Sequence, residues 1–451
     1  TVSERIRRYA GAAAVRMMRG FCLPEERVDH MERIVIEGGR RLNGEAAVHG
    51  AKNSALPILA GSLLAGGETV LHNCPQLTDV DAAIEILQVL GCSVKREGKT
   101  VTINSDTVTQ NEIPEELMHE MRSSIVFLGA MVSRLSKVRL SFPGGCELGP
   151  RPIDLHISSL QKLGVTVEEQ RGILDCSVEK GLHGAKIMLS FPSVGATENI
   201  LLAAVMADGI TEIRNAAQEP EIVDLAGYLT ARGAKIKDAG KSTVYVEGVK
   251  TLHSAEYTVM PDRIVAATYL SAAAITGGKV WVTDICPADL ESVLPVLEQA
   301  GCRMKIMRDC IFLEGPGMIQ PVRNIRTLPY PGFPTDAQAP TMALLTLSSG
   351  TSVFVETIFE NRYKHVGELC RMGADIKTEG KVAIVRGVKK LYGANVQATD
   401  LRGGAAMVVA GLAAEGVSRI GQLYHIDRGY ESMETAFAAL GAKIQREDDG
   451  L

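Results

Sequence analysis

The chain has 451 residues, of which 46% are apolar, 22% charged and 4% aromatic, so it can bury large cores and is neither disordered nor fibrous. Its formal net charge is −5 and it contains no dense basic stripe, which argues against nucleic acid or a membrane surface as a partner. About 150 residues per domain would give three domains, and no apolar run reaches the roughly 18 residues of a membrane helix.

Residues 1–30 do not match a globular element. They carry six arginines, and their apolar piece at 12–15 stops at Arg16, which is too short for the core of a signal peptide. Glu25, Glu26 and Asp29 also spoil the charge pattern of a targeting segment. We therefore expect residues 1–30 to be an extension, helical or disordered, and the folded part to begin near Met31 with a strand.

An amphipathic helix that ends in glycine and leads into an alternating strand recurs along the chain. The glycines at these helix ends are 68 to 73 residues apart and are Gly91, Gly164, Gly233, Gly301, Gly373 and Gly441. Glycine suits the position because the residue after a helix commonly adopts a left-handed conformation. Another apolar helix and a strand precede each of these helix–glycine–strand segments. The predicted order of elements in each unit is therefore helix, strand, helix, strand, strand.

Six units of about 70 residues predict an α/β fold of two globules with three units each, because no unit can bury both of its faces alone. An open solenoid is the alternative, and mixed units of this type disfavour it. Segments 50–53 and 260–263 are predicted to connect the globules. We expect residues 31–51 plus 261–451 to form one discontinuous domain and residues 52–260 the other, with the ligand in the cleft between them.

The nine cysteines are scattered and include no Cys-x-x-Cys pair, which is typical of a reduced, cytoplasmic chain. Most lie in apolar runs, as Cys286 and Cys310 do, and are expected to be small core residues. Cys146 differs because it lies in a segment, 142–152, with three glycines and three prolines, which predicts a loop. The nearby Arg151 would favour a reactive thiolate there, and a surface turn with an incidental thiol is an equally weighted alternative.

Several charged residues are predicted to lie at the first turns of apolar helices. Lys52, Arg122 and Arg402 could each meet an anion or simply be solvated, and Asp400 is expected to cap the helix of Arg402. Gly403 and Gly404 would let a ligand approach that backbone. Asp336 is either a favourable first-turn carboxylate or a general base. The helix that opens at 193–197 offers free N–H groups that suit a phosphate or diphosphate.

Common catalytic motifs are absent from the sequence. Residues 144–149 have the spacing of a phosphate-binding loop but are followed by Pro150 and Arg151 rather than Lys and Ser or Thr. Residues 192–195 lack the leading glycine of a nucleophile elbow. The nine histidines show no metal-ligand spacing, so we expect no metal and no cofactor.

Taken together, these segments resemble the enolpyruvyl transferase family, and within it the UDP-N-acetylglucosamine 1-carboxyvinyltransferases. The resemblance runs from about residue 31 to 447 and depends on segments 50–57, 144–146, 151–156, 193–197, 218–224, 333–336, 360–362, 400–402 and 424–431. It implies a fold of two inside-out α/β barrels. It also implies transfer of the enolpyruvyl group of phosphoenolpyruvate to the 3′-hydroxyl of UDP-N-acetylglucosamine with release of phosphate, the first committed step of peptidoglycan synthesis, by a cytoplasmic monomer.

The resemblance also assigns roles to individual residues. It places Cys146 on a closing loop as proton donor or covalent adduct and target of fosfomycin, and Asp336 as the acceptor of the 3′-hydroxyl proton. The phosphoenolpyruvate site that it implies comprises Lys52, Asn53, Arg122, Arg151 and Arg402. The UDP-sugar site that it implies comprises Asn53, Arg122, Arg151, Pro152, Ile153, Asp154, Leu155, Ser193, Val194, Gly195, Asp336 and Ile358.

Two departures and two rival functions accompany this resemblance. Some relatives carry a basic residue where this chain has Phe191, and residues 1–30 have no counterpart in the family pattern. The sister transferase that acts on shikimate 3-phosphate typically has Gly-Ser-Lys-Ser in place of 50–53 and lacks the cysteine loop. A non-catalytic UDP-sugar sensor is the second rival, and it would have little use for Cys146.

Overall fold

The computed structural model describes residues 32–142 and 153–448, which form two lobes. The chain begins with two short strands, β1 (Glu32–Glu37) and β2 (Asn43–Ala47). These strands pair with distant parts of the chain rather than with each other. The strand expected near Met31 is confirmed as β1, and the break before β2 falls at residues 38–41, of which 39–41 are exposed.

The first lobe contains three units between residues 52 and 258. Unit one consists of α1 (Lys52–Gly61), β3 (Glu68–His72), α2 (Thr78–Val89), β4 (Ser93–Glu97) and β5 (Thr100–Asn104). Unit two consists of α3 (Glu115–Glu120), a 3₁₀ turn (Arg122–Val126), α4 (Phe127–Arg134), β6 (Lys137–Ser141), α5 (Asp154–Lys162), β7 (Thr166–Gln170) and β8 (Ile173–Ser177). Unit three consists of β9 (Lys186–Met188), α6 (Val194–Ala204), β10 (Ile210–Arg214), α7 (Pro220–Ala231), β11 (Lys235–Lys237) and β12 (Thr243–Glu247), and β13 (Ala255–Thr258) ends the lobe.

The second lobe contains units four to six. Unit four consists of α8 (Arg263–Ile275), β14 (Lys279–Thr283), a 3₁₀ turn (Pro287–Leu290), α9 (Leu294–Gln299), β15 (Arg303–Ile306) and β16 (Cys310–Glu314). Unit five consists of β17 (Ile325–Arg326), α10 (Thr335–Leu345), β18 (Thr351–Val355), α11 (Val366–Arg371), β19 (Asp375–Glu379) and β20 (Val382–Arg386). Unit six consists of β21 (Asn395–Gln397), α12 (Leu401–Ala413), β22 (Val417–Gly421), α13 (Tyr424–Asp427), α14 (Met433–Ala439) and β23 (Lys443–Asp448).

Each unit contributes one small sheet. The strand orders are β13-β3-β5-β4, β6-β8-β7 and β11-β12-β10-β9 in the first lobe, and β15-β16-β14-β2, β17-β18-β20-β19 and β21-β22-β1-β23 in the second. Three sheets are completed by strands from elsewhere in the chain: β13 lies parallel to β3, β2 lies parallel to β14, and β1 fits between β22 and β23. The N-terminal strands therefore belong to the second lobe, although the first lobe follows them directly in sequence.

The helices lie inside the lobes and the sheets outside. All thirteen residues of α8 are buried, and α12 is buried from Arg402 to Leu412, so these helices are surrounded by protein. Helices α8, α10 and α12 pack against one another at the centre of the second lobe. The outer strands instead alternate between buried and half-buried or exposed residues, as β5 and β10 do, because one face of each sheet meets solvent. The predicted fold class, two inside-out α/β globules built from six units, is confirmed.

The six repeated glycines all end helices in the predicted way. Their φ angles lie between +92° and +107°, a region that a side chain disfavours. At the first of them, the amide of Gly91 donates to the carbonyl of Gln88 (3.0 Å) and the amide of Cys92 donates to that of Leu87 (2.9 Å). The same pair of hydrogen bonds recurs at the other five glycines and satisfies the last carbonyls of each helix.

The apolar core is divided into two clusters with no common residue. One draws on residues 34–48 and 265–444, and the other on residues 55–259. Within the described ranges, no helix is long and apolar enough to cross a membrane. The seven cysteines of these ranges are free, and Cys74, Cys92, Cys176 and Cys302 are buried as expected.

The expectation of a core position is wrong for Cys286 and Cys310. Cys286 is exposed because it follows the end of β14 and precedes the 3₁₀ turn. Cys310 is only half-buried because the buried positions of β16 are Ile311 and Leu313, and Cys310 alternates with them. An apolar sequence run therefore does not show which face of a strand a residue occupies.

A buried arginine stabilises the base of the first lobe. The Arg232 side chain is fully buried and donates to three main-chain carbonyls: Gly61 at the end of α1 (2.9 Å), Ala65 (3.3 Å) and His253 (2.9 Å). A cation suits this place because the C-terminal carbonyls of a helix carry partial negative charge. Arg232 also lies over the ring of Tyr228, with its Cζ 5.9 Å from the ring centroid.

We predict that Arg232→Met destabilises the protein by about 3 kcal/mol or more, because three main-chain carbonyls lose the guanidinium that donates to them, one of them fully buried. The free energy of unfolding, measured by urea titration, checks this value. Lys235→Met, which removes a cation from an exposed ion pair with Glu247, serves as the matched control and should stay within about 0.5 kcal/mol of the wild type. A loss at Arg232 as small as that of the control would contradict the structural role.

Candidate functional site

Four ionised groups of the candidate site lie in the first turns of helices from both lobes. Lys52 is the first residue of α1, and Asp79 lies in the first turn of α2. From the second lobe, Asp336 lies in the first turn of α10 and Arg402 in that of α12. The predicted helix starts near Lys52, Asp336 and Arg402 are confirmed, and Asp336 has the predicted first-turn position.

Asp336 holds two buried arginines. Its Oδ2 accepts from Nη2 of Arg402 and its Oδ1 from Nη2 of Arg362, each at 3.0 Å. Only 2% of the Arg402 side chain and 3% of the Arg362 side chain are exposed, whereas 28% of the Asp336 side chain is. The carboxylate is thus the solvent-facing member of the cluster.

The charges of this cluster set its acid–base state. Burial by itself would raise the pKa of Asp336, but Arg402 and Arg362 lower it well below the usual range of a carboxyl group. Burial lowers the pKa of Arg402, and Asp336 more than compensates, so that the pKa of Arg402 is raised. Both groups are therefore ionised over the whole physiological pH range.

The two arginines have N–H groups to spare. Nε and Nη1 of Arg402 and Nε of Arg362 are buried and find no acceptor among the described residues. Buried donors in native proteins are almost always satisfied, so these three atoms indicate an absent acceptor. Arginine binds carboxylate and phosphate groups through such paired N–H donors.

A second ion cluster joins the lobes. Nζ of Lys52 lies 2.6 Å from Oδ2 of Asp79, and Arg428 donates to both oxygens of Asp79 from Nε (2.8 Å) and Nη2 (3.3 Å). Lys52 and Asp79 are buried. Lys52 also influences the acidity of Asp336, which brings the two clusters into one site.

The chain crosses between the lobes beside Lys52. The amide of Ala51 donates to the carbonyl of Met260 (2.7 Å), and that of Asp262 donates to the carbonyl of His49 (2.9 Å), so the two crossing segments pair with each other. Oδ2 of Asp262 accepts from the amide of Lys52 (3.2 Å). A Cβ at Gly50 would lie 1.8 Å from a main-chain oxygen, so only glycine fits there.

Asp400 caps α12, as predicted, by accepting from the amides of Arg402 (3.0 Å) and Gly403 (3.1 Å). The expectation that Gly403 and Gly404 admit a ligand is wrong. A Cβ on Gly403 would meet Oγ1 of Thr399 at 2.6 Å, and one on Gly404 would meet Ile426 at the same distance. These glycines therefore serve close packing of protein against protein.

A third group of predicted residues lies in the first lobe. Ser193 caps α6 by accepting from the amide of Ala196 (3.3 Å), and Val194 and Gly195 form the first turn. Helix α5 packs beside α6, where Nδ2 of Asn199 lies 2.7 Å from Nδ1 of His156. The start of α5 (Ile153, Asp154, Leu155) and the 193–195 turn are therefore neighbours.

The structure does not bring every predicted residue into view. Cys146, Arg151 and Pro152 lie outside the described residues. The backbone of Arg122 begins a 3₁₀ turn rather than the predicted α-helix, and its side chain is likewise outside the described part. Asn53 is half-buried in the first turn of α1, and Ile358 is half-buried with its amide donating to Oε1 of Glu356 (2.8 Å).

Three members of the ion clusters were not selected from the sequence as site residues: Asp79, Arg362 and Arg428. Arg362 and Arg428 lie in segments that carried the family resemblance, and Asp79 starts an amphipathic helix as many surface acids do. The only sequence signal was their presence near helix ends. Which of the 48 basic residues meet can be read only from the fold.

Comparison with a family model and with solved structures defines the general class of protein to which this chain belongs. The model of the family described as EPSP synthase (3-phosphoshikimate 1-carboxyvinyltransferase) matches residues 36–437. The crystal structure of the enolpyruvyl transferase NikO from Streptomyces tendae covers 93% of this chain and is itself covered completely, with a TM-score of 0.83 at 24% identity. An EPSP synthase structure from Acinetobacter baumannii gives a TM-score of 0.72 at 18% identity, with 92% of this chain and 100% of that one covered. The fold is that of the enolpyruvyl transferases.

Curated relatives define the family more narrowly. A UDP-N-acetylglucosamine 1-carboxyvinyltransferase 2 from Caldanaerobacter subterraneus subsp. tengcongensis is 52% identical over 416 residues, which cover 92% of this chain and 100% of the relative. A UDP-N-acetylglucosamine 1-carboxyvinyltransferase 1 from Symbiobacterium thermophilum is 49% identical over 92% of this chain and 95% of its own length. The chain belongs to the UDP-N-acetylglucosamine 1-carboxyvinyltransferase family.

Buried His156 makes the stability of this region depend on pH. Burial lowers the pKa of His156 to about 4, below the value of about 6.5 in an unfolded chain. Between these two values the unfolded state takes up a proton that the native state refuses, so stability is complete above pH 6.5 and falls as the pH drops toward 4. A shift of this size corresponds to about 3 kcal/mol.

We predict that His156→Gln gives a smaller loss of unfolding free energy between pH 7 and pH 4.5 than the wild type shows, because glutamine can still contact Asn199 but does not titrate. Urea titrations at pH 7, 5.5 and 4.5 measure it, with the exposed histidine variant His119→Gln as control. Equal pH dependence in His156→Gln and the wild type would refute the prediction.

Proposed function

We propose that the chain transfers the enolpyruvyl group of phosphoenolpyruvate to the 3′-hydroxyl of UDP-N-acetylglucosamine and releases phosphate. The observation that carries this proposal is the convergence of Lys52, Arg362, Arg402 and Arg428 on two carboxylates between the lobes. Phosphoenolpyruvate is small and bears a phosphate and a carboxylate, so it needs several cations close together. The curated relatives are named as UDP-N-acetylglucosamine 1-carboxyvinyltransferases, which supports the same acceptor and the same type of transfer.

In the proposed reaction, O3′ of the sugar adds to C2 of phosphoenolpyruvate while a proton adds to C3. Asp336 takes the proton of the 3′-hydroxyl, and Cys146 supplies the proton to C3 or forms an adduct. Loss of a C3 proton and cleavage of the C2–O bond to phosphate then give the enolpyruvyl ether. Loop closure would exclude water from the cationic intermediate.

We assign phosphoenolpyruvate to Lys52, Arg402 and the newly found Arg362 and Arg428, with Asn53, Arg122 and Arg151 as further candidates. The unused N–H groups of Arg402 and Arg362 support this assignment because they can take an additional acceptor without losing Asp336. The sugar would then contact Asn53, Asp336 and Ile358, which places its 3′-hydroxyl beside the carboxylate.

The nucleotide is assigned to the first lobe. Pro152, Ile153, Asp154 and Leu155 would line the uridine, and Ser193, Val194 and Gly195 would meet the diphosphate with Arg122 and Arg151. The free amides at the start of α6 support this role because a helix N-terminus attracts anions. Phe191 is 42% exposed next to this turn and provides no charge for the nucleotide.

Residues 31–51 plus 261–451 and residues 52–260 would act as two domains that close on the substrates. Their separate apolar cores and the polar contacts between them, Arg428 with Asp79 and Arg263 with Glu221, support relative movement. A cytoplasmic location fits the free cysteines of the described ranges. We further propose that the protein acts as a monomer.

The test is phosphate release from purified protein. We expect release only when UDP-N-acetylglucosamine and phosphoenolpyruvate are both present, and we expect Asp336→Asn to lose at least a hundredfold in kcat because the amide cannot accept the 3′-hydroxyl proton. Release with shikimate 3-phosphate instead of the UDP-sugar would favour the sister reaction. Binding of the UDP-sugar without any release would favour a sensor.

Cys146 provides a second prediction. The epoxide fosfomycin should alkylate Cys146 and abolish turnover, because Arg151, five residues further along the sequence, is expected to favour the thiolate. Peptide mass spectrometry locates the adduct, and Cys286→Ser, which removes an exposed thiol, serves as the control that stays sensitive. An adduct at a different cysteine, or full activity after treatment, would refute the assignment.

A further inference from the structure

Asp79 lies between two cations that come from different lobes. Its Oδ2 is 2.6 Å from Nζ of Lys52, and both of its oxygens accept from Arg428, at 2.8 and 3.3 Å. The Asp79 side chain is only 3% exposed and that of Lys52 9%, whereas 25% of the Arg428 side chain is exposed. A carboxylate that accepts three donors in a buried position is held in one orientation.

The balance of charge makes Asp79 necessary for this arrangement. Without it, Lys52 and Arg428 would be neighbouring cations with little water to separate them, and Arg402 adds a third positive charge nearby. Two positive charges that contact the same buried carboxylate repel each other strongly when that carboxylate is removed. One carboxylate between Lys52 and Arg428 removes most of the repulsion and leaves a net positive charge for an incoming anion.

We propose that Asp79 is a positioning residue that fixes Lys52 and Arg428 side by side and keeps the Lys52 amine protonated, so that both cations meet the phosphate of phosphoenolpyruvate. This inference depends on the proposed function. Asp79 does not touch the reacting atoms in this view. It acts through Lys52 and Arg428, and it links the lobes because Lys52 and Asp79 lie in the first and Arg428 in the second.

The charges around Lys52 support the part of the proposal in which Asp79 keeps the Lys52 amine protonated. Burial lowers the pKa of Lys52, Asp79 opposes this effect, and Arg428 and Arg402 reinforce it. The other charged groups that face Lys52 are Asp262, which accepts from its amide, and Asp336, which is already paired with two arginines. Asp79 is therefore the carboxylate on which the charge of the Lys52 amine chiefly depends.

The experiment compares Asp79→Asn with Asp81→Asn on the same helix. Asp81 pairs with Arg96 at 2.7 Å and is 64% exposed, so its variant makes the same chemical change away from Lys52. Initial rates are measured from pH 6 to pH 10 with phosphoenolpyruvate varied. The pH dependence of Lys52 acetylation by acetic anhydride, followed by mass spectrometry, reports the free amine without any turnover.

For Asp79→Asn we expect a tenfold or larger rise in KM for phosphoenolpyruvate and a shift of the basic limb of kcat/KM to lower pH by about one unit, which corresponds to the loss of one nearby charge. The midpoint of Lys52 acetylation should move in the same direction. Asp79→Glu, which restores a carboxylate, should return the limb toward the wild type. Asp81→Asn should leave all three quantities unchanged.

Other results would overturn the inference. If Asp79→Asn and Asp79→Glu lower the melting temperature but leave the basic limb and the acetylation midpoint where the wild type has them, Asp79 is merely structural. If the wild type releases no phosphate from its two substrates, the proposed function fails, and the acetylation experiment still decides whether Asp79 controls the charge of Lys52. The two failures are therefore distinguishable.

Discussion

The candidate site is constrained by the need to bury several positive charges close together. Lys52, Arg362, Arg402 and Arg428 could not share this space without carboxylates, because the repulsion of unpaired buried cations costs several kcal/mol. Asp79 and Asp336 each take two of them. Each cluster contains two cations and one carboxylate. It therefore keeps a net positive charge, which attracts an anion.

The repeated unit explains how these charges come to one place. Each unit buries one apolar helix in its lobe, and α1, α10 and α12 carry their charged residues only in the first turn. The N-terminal turns of α1, α10 and α12 are directed to the junction of the lobes, where Asp400 and Asp262 cap their helices and also orient neighbouring charges. The helix caps, the charged side chains and the two segments that cross between the lobes therefore lie close together at this junction. A displacement of one of them would disturb the others.

Local rules were enough to predict much of the fold. The six glycines and their spacing predicted the units because a helix end that needs positive φ has a strong residue preference. The same reasoning failed at Gly403 and Gly404, where glycine is required by a packed neighbour rather than by a ligand. The expectation that cysteines in apolar runs are core residues also failed at Cys286 and Cys310. A short apolar run does not determine whether a given residue faces the core or the solvent.

The sequence predicted several charged residues of the site, but not which of them contact one another. Lys52, Asp336 and Arg402 could be selected because each follows a recognisable helix start, whereas Arg362 and Arg428 depend on contacts with residues 26 and 349 positions away. No local pattern encodes such a contact. The family resemblance supplied the segments in which these arginines lie, and only the fold shows which carboxylate each one meets.

The paired state of Asp336 bears on the order of events in the proposed reaction. With both oxygens held by arginines and its pKa well below the usual range, Asp336 is a weak base in the empty site. An anion that binds the unused N–H groups of Arg402 and Arg362 would offset part of their positive charge while Asp336 stays paired, and the pKa of Asp336 would then rise toward that of an ordinary carboxyl group. In the proposed reaction, the base would thus gain strength only after the substrate anion has arrived. Such coupling would prevent activation of the sugar hydroxyl without a partner to attack, and it would use the same two ion pairs that hold Asp336.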